Sequence, residues 1–272
     1  MEPSQSPSNA SRRQFIKKTA TASAGFTIVP SHVVSGQGKV PPPSETLGGA
    51  LIGAGGRGPG TFKRLGDNVQ MLAKCDVKYV GQEDNKTVYS DFRRLLERKD
   101  IDVVAIATPP HWHALISMAA AAAGKDVVCE KPMTRFIAEG RAVVETFKRY
   151  NRIFQIGTFG RFGVSRKKGS ILRHKIMSSG LLDPCPVVYH HKGGLKVKQW
   201  SGRADLTPTE PPENLNWDLY VGPSPMKSYV RQRTGGTHRN YWDYEGGGLA
   251  DMAQHSLDPF QWTYAKDHTS PV

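Results

Sequence analysis

The feature that most constrains this chain is a short apolar run entering a glycine-rich turn without a break. Ala50-Leu51-Ile52 leads directly into Gly53-Ala54-Gly55-Gly56-Arg57-Gly58, a G-x-G-x-x-G spacing. Each of the three spaced glycines answers a separate steric demand. Gly53 permits the tight turn, Gly55 lets the backbone approach a pyrophosphate, and Gly58 lets the next helix pack closely on the strand. Pro59 suits the first turn of that helix. The helix N-terminus then offers N–H groups and a positive dipole end to phosphates. Glycine-rich turns are common in a chain with 28 glycines, so the motif needs context.

The context is a β-α-β alternation. Met71-Leu72-Ala73-Lys74-Cys75 reads as a second strand ending at Asp76, 23 positions after Gly53. A carboxylate about 20 residues beyond the turn is placed to grip ribose hydroxyls. It would also repel a 2′-phosphate, which favours NAD over NADP, although Lys74 and Lys78 flank it and soften that preference. Asp91–Arg98 reads as a short helix, Val103–Ala107 as a fully apolar strand, and Ala114–Ala123 as an alanine-rich helix stopped by Gly124. Asp126–Cys129 is the next strand. Phe136, Ile137, Gly140, Val143, Val144 and Phe147 trace one helical face, and Ile153–Ile156 is the sixth strand. The fold class expected is α/β, a doubly wound parallel sheet with ligands beyond the strand C-termini. Two further strand ends therefore matter: Thr108-Pro109-Pro110-His111-Trp112-His113 and Glu130-Lys131-Pro132. A lysine at such an end can stabilise a developing alkoxide or share its proton. His113 reads as a packing or capping histidine ahead of a catalytic one.

Charge adds a caution and an address. The net charge of +13 is spread along the chain, with +4 in residues 1–40, +3 in 41–150 and +6 in 151–272. No nucleic-acid motif accompanies it, so a nucleic-acid partner is not expected; acidic sugars or anionic surfaces are the softer alternative. Cys75, Cys129 and Cys185 form no CxxC and no paired framework, which argues against a disulfide scaffold or a cysteine-based zinc module. His190-His191 makes no metal pair, because neighbours on a strand face opposite ways. No metal is expected. No apolar run is long enough for a multi-span membrane protein. At the N-terminus, Ser11-Arg12-Arg13-Gln14-Phe15-Ile16-Lys17 precedes the weakly apolar stretch Thr19–Val29. This resembles a bacterial twin-arginine export signal. It implies the twin-arginine machinery as a partner and a periplasmic location, membrane-associated where the signal is retained. Residues 30–46, with Pro41-Pro42-Pro43, read as a linker.

Taken in order, G-A-G-G-R-G, C-D-V, T-P-P-H-W-H, E-K-P and G-G-G-L-A-D-M-A-Q-H resemble the Gfo/Idh/MocA oxidoreductases, exported type. The resemblance implies three parts: signal and linker at 1–46, an NAD(P)-binding Rossmann domain at 47–160, and a C-terminal α+β domain with a mostly antiparallel sheet at 161–272. A complete C-terminal sheet would also join copies into a homo-oligomer. The cofactor residues implied are Gly53, Gly55, Gly56, Arg57, Gly58, Asp76, Thr108, Pro109, His113, Glu130 and Lys131. The catalytic residues implied are Lys131 of E-K-P with Asp251 and His255 of D-x-x-x-H. Positions 251 and 255 lie four apart on one helical face, so the carboxylate can orient an imidazole whose ordinary pKa is about 6.5. Arg161, Tyr241, Trp242 and His255 are the candidate substrate contacts. Trp200, Trp217, Trp262, Tyr220, Tyr229, Tyr244 and Tyr264 could stack on a sugar or simply fill core. The implied reaction moves a hydride between a sugar or polyol carbon and nicotinamide. The alternatives are a glycoside hydrolase that oxidises transiently and a dinucleotide-binding remnant without turnover.

Two departures from the family pattern stand out. Residues 77–90 leave 14 positions for a crossover and a third strand, with no helical face, which puts the adenine side of the site in question. The chain also stops soon after the D-x-x-x-H helix, where further sheet strands are expected. A C-terminally incomplete second domain is the expectation.

Overall fold

The computed structural model describes residues 45–158, 175–176, 179–181 and 207–264. The twin-arginine segment, Arg161, His190-His191, Trp200 and Cys185 lie outside these, as does the expected domain boundary at 160. Six strands form one sheet: β1 (Leu47–Ile52), β2 (Val69–Cys75), β3 (Val88–Tyr89), β4 (Val103–Ile106), β5 (Asp126–Cys129) and β6 (Phe154–Ile156). Their order is β3-β2-β1-β4-β5-β6 and every pairing is parallel. The reversal of winding falls between β1 and β4, where a crevice opens beyond the strand ends.

Alternation along the central strands explains the two-sided core. Ala50, Ile52, Val104 and Ile106 face one side. There they meet α2 (Phe92–Leu96), α3 (His113–Ala122) and α4 (Ile137–Tyr150). Leu51 and Ala105 face the other side and meet Phe62 of α1 (Gly58–Phe62). The small side chains of Ala114, Ala120 and Ala121 bring α3 close to the sheet and bury all three. Asp91 caps α2 through Arg93 N at 2.9 Å. Lys125 is buried by satisfying two carbonyls, donating to Arg98 O at 2.7 Å and Ile101 O at 2.8 Å.

Two expectations change here. The apolar face of α4 is buried only at Val143 and Phe147; Phe136 is 49 % and Ile137 86 % exposed. The reason is length. Fourteen helical residues span about 21 Å, whereas the four residues of β5 span about 13 Å, so the first turn overshoots the sheet. The short segment after β2 does hold a third strand, and it needs no helix. β3 pairs only Val88 with Lys74 and Tyr89 with Cys75, so the chain retreats by two residues rather than the full strand. Turns do the work: Tyr79 N donates to Asp76 O at 3.0 Å, and the Asp84 carboxylate accepts from Lys86, Thr87 and Val88 N–H at 2.7–2.9 Å.

Residues 207–264 form α5 (Trp217–Val221), α6 (Gly247–Met252), α7 (Gln254–Thr263) and intervening 3₁₀ turns. No strand occurs among these described residues, and the expected antiparallel sheet has no counterpart within them. The segment is held to the sheet's C-terminal edge by main-chain bonds. Asn216 N donates to Val77 O at 2.9 Å, and Val80 N to Asn214 O at 3.3 Å. Trp217, Tyr220, Tyr229, Tyr241 and Tyr244 pack into one aromatic cluster and fill core, and of the five Tyr220 also reaches the cavity beyond the strand ends. No described helix is long and apolar enough to cross a membrane.

Candidate active site

Four strand ends converge on one cavity of about 540 Å³. β1 contributes the glycine turn, β2 Asp76, β4 Thr108 and Pro109, and β5 Glu130 and Lys131. Gly53 adopts φ +86, and a Cβ there would lie 2.6 Å from the Ala107 carbonyl carbon. A Cβ on Gly58 would lie 2.1 Å from Gly53 O, so helix and strand touch backbone to backbone. Gly55 differs: its Cβ would meet nothing closer than Asp76 Oδ2 at 3.7 Å. No protein atom demands that glycine; a Cβ would simply occupy the cavity beside the turn. This is the cradle a pyrophosphate requires, and the residues present fit a dinucleotide.

Asp76 sits at the β2 end with both oxygens engaged. Oδ2 accepts from Gly55 N and Oδ1 from Lys78 N, each at 3.1 Å. The acid thus braces the glycine turn as well as facing the cavity. Lys74 lies over the Tyr79 ring at 5.2 Å. Glu130 ties the β5 end back to the turn: Oε1 accepts from Thr61 Oγ1 at 2.6 Å and Arg57 Nε at 3.1 Å. His113 does not line the cavity. Buried, its Nδ1 lies 2.7 Å from Pro132 O and its Nε2 2.8 Å from Thr108 O, so it staples the β4 and β5 loops together. Burial lowers its pKa.

Lys131 and Asp251, 120 residues apart, meet at the β5 end. Lys131 Nζ donates to Asp251 O at 2.7 Å and also to Asp251 Oδ1. Arg239 Nε lies 3.0 Å from Oδ2, an ion contact without the alignment of a hydrogen bond. Burial works to raise the Asp251 carboxyl, but Lys131 and Arg239 outweigh it and hold it below the usual carboxylate range. His255 lines the same cavity.

Tyr241 and Trp242 do not line it. Tyr241 packs against Arg233, whose guanidinium lies 4.5 Å from the ring centre. Trp242 is 68 % exposed and stacks near Arg135 at 5.4 Å. Both read in sequence as sugar contacts, yet Tyr241 packs into the aromatic cluster and only Trp242 points outward. Two residues were not anticipated. His238 lines the cavity, and burial pushes its pKa down to about 4. Glu245 lines it too while being 1 % exposed. A glutamate ahead of a helix start is ordinary in sequence, so nothing local marked it. No cluster of metal-ligating side chains occurs among the described residues.

Fold and site define a dinucleotide-binding α/β protein with a lysine–aspartate pair at the β5 end of its crevice. Residues 67–158 match the profile described as oxidoreductase family, NAD-binding Rossmann fold, and residues 169–272 match that family's C-terminal alpha/beta domain. The chain belongs to the Gfo/Idh/MocA oxidoreductase family, and its N-terminal part is an NAD-binding Rossmann domain. Similar proteins include a levoglucosan dehydrogenase of Pseudarthrobacter phenanthrenivorans, 38 % identical over 34 % of this chain and 23 % of that protein. An inositol 2-dehydrogenase of Salmonella typhimurium is 30 % identical over 53 % of this chain and 45 % of its own length. A glycosyl hydrolase family 109 protein of Shewanella pealeana is 29 % identical over 51 % and 37 %. The chain thus spans less than half the length of these relatives. An oxidoreductase domain protein from Kribbella flavida shares the fold, with TM-score 0.53 and 20 % identity over 81 % of this chain and 54 % of that one.

Proposed function

We propose that the protein is an NAD(P)-dependent oxidoreductase acting on a hydroxyl-bearing carbon of a sugar or polyol. The observation that carries this reading is the Lys131–Asp251 pair, set in the same cavity as the glycine turn and Asp76. When bound, NAD supplies the two-electron acceptor for such an oxidation, with NADP the alternative. Gly55, Gly56 and Arg57 would hold its pyrophosphate and Asp76 its ribose. Lys131 commits two of its three N–H hydrogens to Asp251, which fixes its position and leaves one for a substrate oxygen. Asp251, kept ionised by Lys131 and Arg239, is a positioning group rather than a base. His255, in reach of the same cavity, is the group suited to draw the hydroxyl proton. A complete C-terminal α/β domain with its antiparallel sheet belongs to this reading, as does pairing of copies through that sheet. So does export by the twin-arginine route, which replacing Arg12 and Arg13 by lysine would abolish in a periplasmic fractionation.

The test is NADH formation by the full chain across a panel of sugars and polyols, with inositol and levoglucosan included because relatives are named for them. Lys131→Met is expected to lose about 100-fold or more in kcat. Unchanged turnover would refute the assignment. The Shewanella relative favours a second reading, a glycoside hydrolase that oxidises its sugar only transiently. Aglycone release that requires NAD yet yields no net NADH would decide for it.

A further inference from the structure

Glu245 immediately precedes the glycines that open α6. Its side chain is 1 % exposed, yet it lines the cavity that holds Lys131 and Asp251. Among the described residues the one hydrogen bond its carboxylate accepts is from Gly246 N to Oε1, at 3.1 Å. A buried carboxylate ordinarily gathers several donors to remain ionised. Here a single donor, Gly246 N, serves a buried carboxylate that lines the cavity.

The charged groups that face Glu245 come from three elements: Lys131 at the β5 end, Arg239 on the 3₁₀ turn, and Asp251 on α6. Both cations are already engaged with Asp251. Their pull on Glu245 is opposed by the Asp251 charge. Burial dominates, and the Glu245 carboxyl is pushed up to about 7. Asp251 is held below the usual carboxylate range by Lys131 and Arg239, and burial pushes His238 down to about 4.

From this cluster we infer that Glu245 is the proton-holding residue of the site, acting within the oxidation proposed above, on which this inference rests. The substrate O–H bond breaks and its proton, passed by the groups at the hydroxyl, forms an O–H bond on the Glu245 carboxylate. The substrate C–H bond breaks as well: its hydrogen and electron pair would pass together, as hydride, to bound oxidised NAD, and the carbon–oxygen bond becomes a carbonyl. In the reverse direction the neutral carboxyl returns the proton to the developing alkoxide. A site that holds its own proton needs no water at the reacting carbon, in keeping with the burial of Glu245.

The test has two arms on the full chain. The first is an infrared pH titration of the protein alone, comparing wild type, Glu245→Gln and Glu245→Asp. A protonated-carboxyl band that disappears near pH 7, is absent from Glu245→Gln and persists in Glu245→Asp is the expected result. No band titrating near pH 7, or one that survives in Glu245→Gln, overturns the inference. The second arm is the pH profile of kcat/KM for any polyol the wild type oxidises. The wild type should fall tenfold per pH unit below an inflection near 7, and Glu245→Gln should be flat and about 100-fold slower. An unchanged inflection in Glu245→Gln overturns the inference while leaving the dehydrogenase reading intact. Absence of turnover on every polyol overturns that reading instead, and the infrared arm then decides for Glu245 alone.

Discussion

Gly58 and Gly60 stand two residues apart on α1, and alanine at the two positions should act in opposite directions. A Cβ on Gly58 falls 2.1 Å from Gly53 O, 3.2 Å from Gly53 C and 3.4 Å from Leu51 Cδ1. A carbon and a carbonyl oxygen sit comfortably at about 3.3 Å or more, so α1 and the turn would have to part by roughly 1 Å. The obstacle is backbone, and it cannot swing away: Gly53 N is bonded to Cys75 O at 2.9 Å, and β1 is paired on both sides. Overpacking of this kind costs about 1–3 kcal/mol, and the rigidity of the turn places Gly58→Ala at the upper end. Gly60 has nothing within 4 Å of its would-be Cβ and ordinary helical backbone. Alanine there removes only the excess freedom of glycine in the unfolded chain and should stabilise by about 0.4–1 kcal/mol. Urea unfolding followed by tryptophan fluorescence reads both. A displaced turn should also weaken NAD binding at least about tenfold in Gly58→Ala, corresponding to roughly 1.4 kcal/mol, and leave it unchanged in Gly60→Ala. Equal midpoints for the two variants, or a Gly58→Ala protein as stable as wild type, would refute the claim that helix–strand contact imposes glycine at 58.

Glu245 also makes stability depend on pH. Its carboxyl is raised from 4.5 to about 7 in the folded protein, so the folded state binds the extra proton and stability falls as pH rises between these values. The full loss is about 3 kcal/mol. Glu245→Gln should therefore unfold at higher urea than wild type at pH 8.5, with most of that advantage gone at pH 5. Thr61→Val removes the 2.6 Å hydrogen bond to the buried Glu130 and should cost about 1.5–3 kcal/mol in the same assay, with the glycine turn loosened from the β5 loop.

Much of the Rossmann half is legible in the sequence because its signals are local. Val103-Val104-Ala105-Ile106 is apolar on both faces and is buried on both. Asp76 and Lys131 follow strands directly, so topology alone carries them to one crevice. What is hidden depends on dimensions and partners. The face of α4 can be read from its period, but nothing in that period states how short β5 is, so the exposure of Ile137 was not foreseeable. The third strand survives with two residues because the loop after β2 folds through turns centred on Asp84. His113 resembled a cofactor contact in its motif, yet both its ring nitrogens are taken by main-chain carbonyls. The tyrosines of residues 220–244 satisfy a sugar-site pattern and a core pattern equally, and only packing separates the two. Glu245 escaped notice because its importance lies in being buried beside Asp251, a fact of tertiary structure.

The central claim is that one crevice binds NAD between Asp76 and Lys131, with Lys131 reserved for chemistry. Calorimetric titration of NAD into the full chain, its Asp76→Ala variant and its Lys131→Met variant tests this most directly. The account predicts one NAD per wild-type chain, an affinity about tenfold or more weaker in Asp76→Ala, and near-wild-type affinity in Lys131→Met. NAD binding that is undiminished by Asp76→Ala, or absent from the wild type, would contradict it.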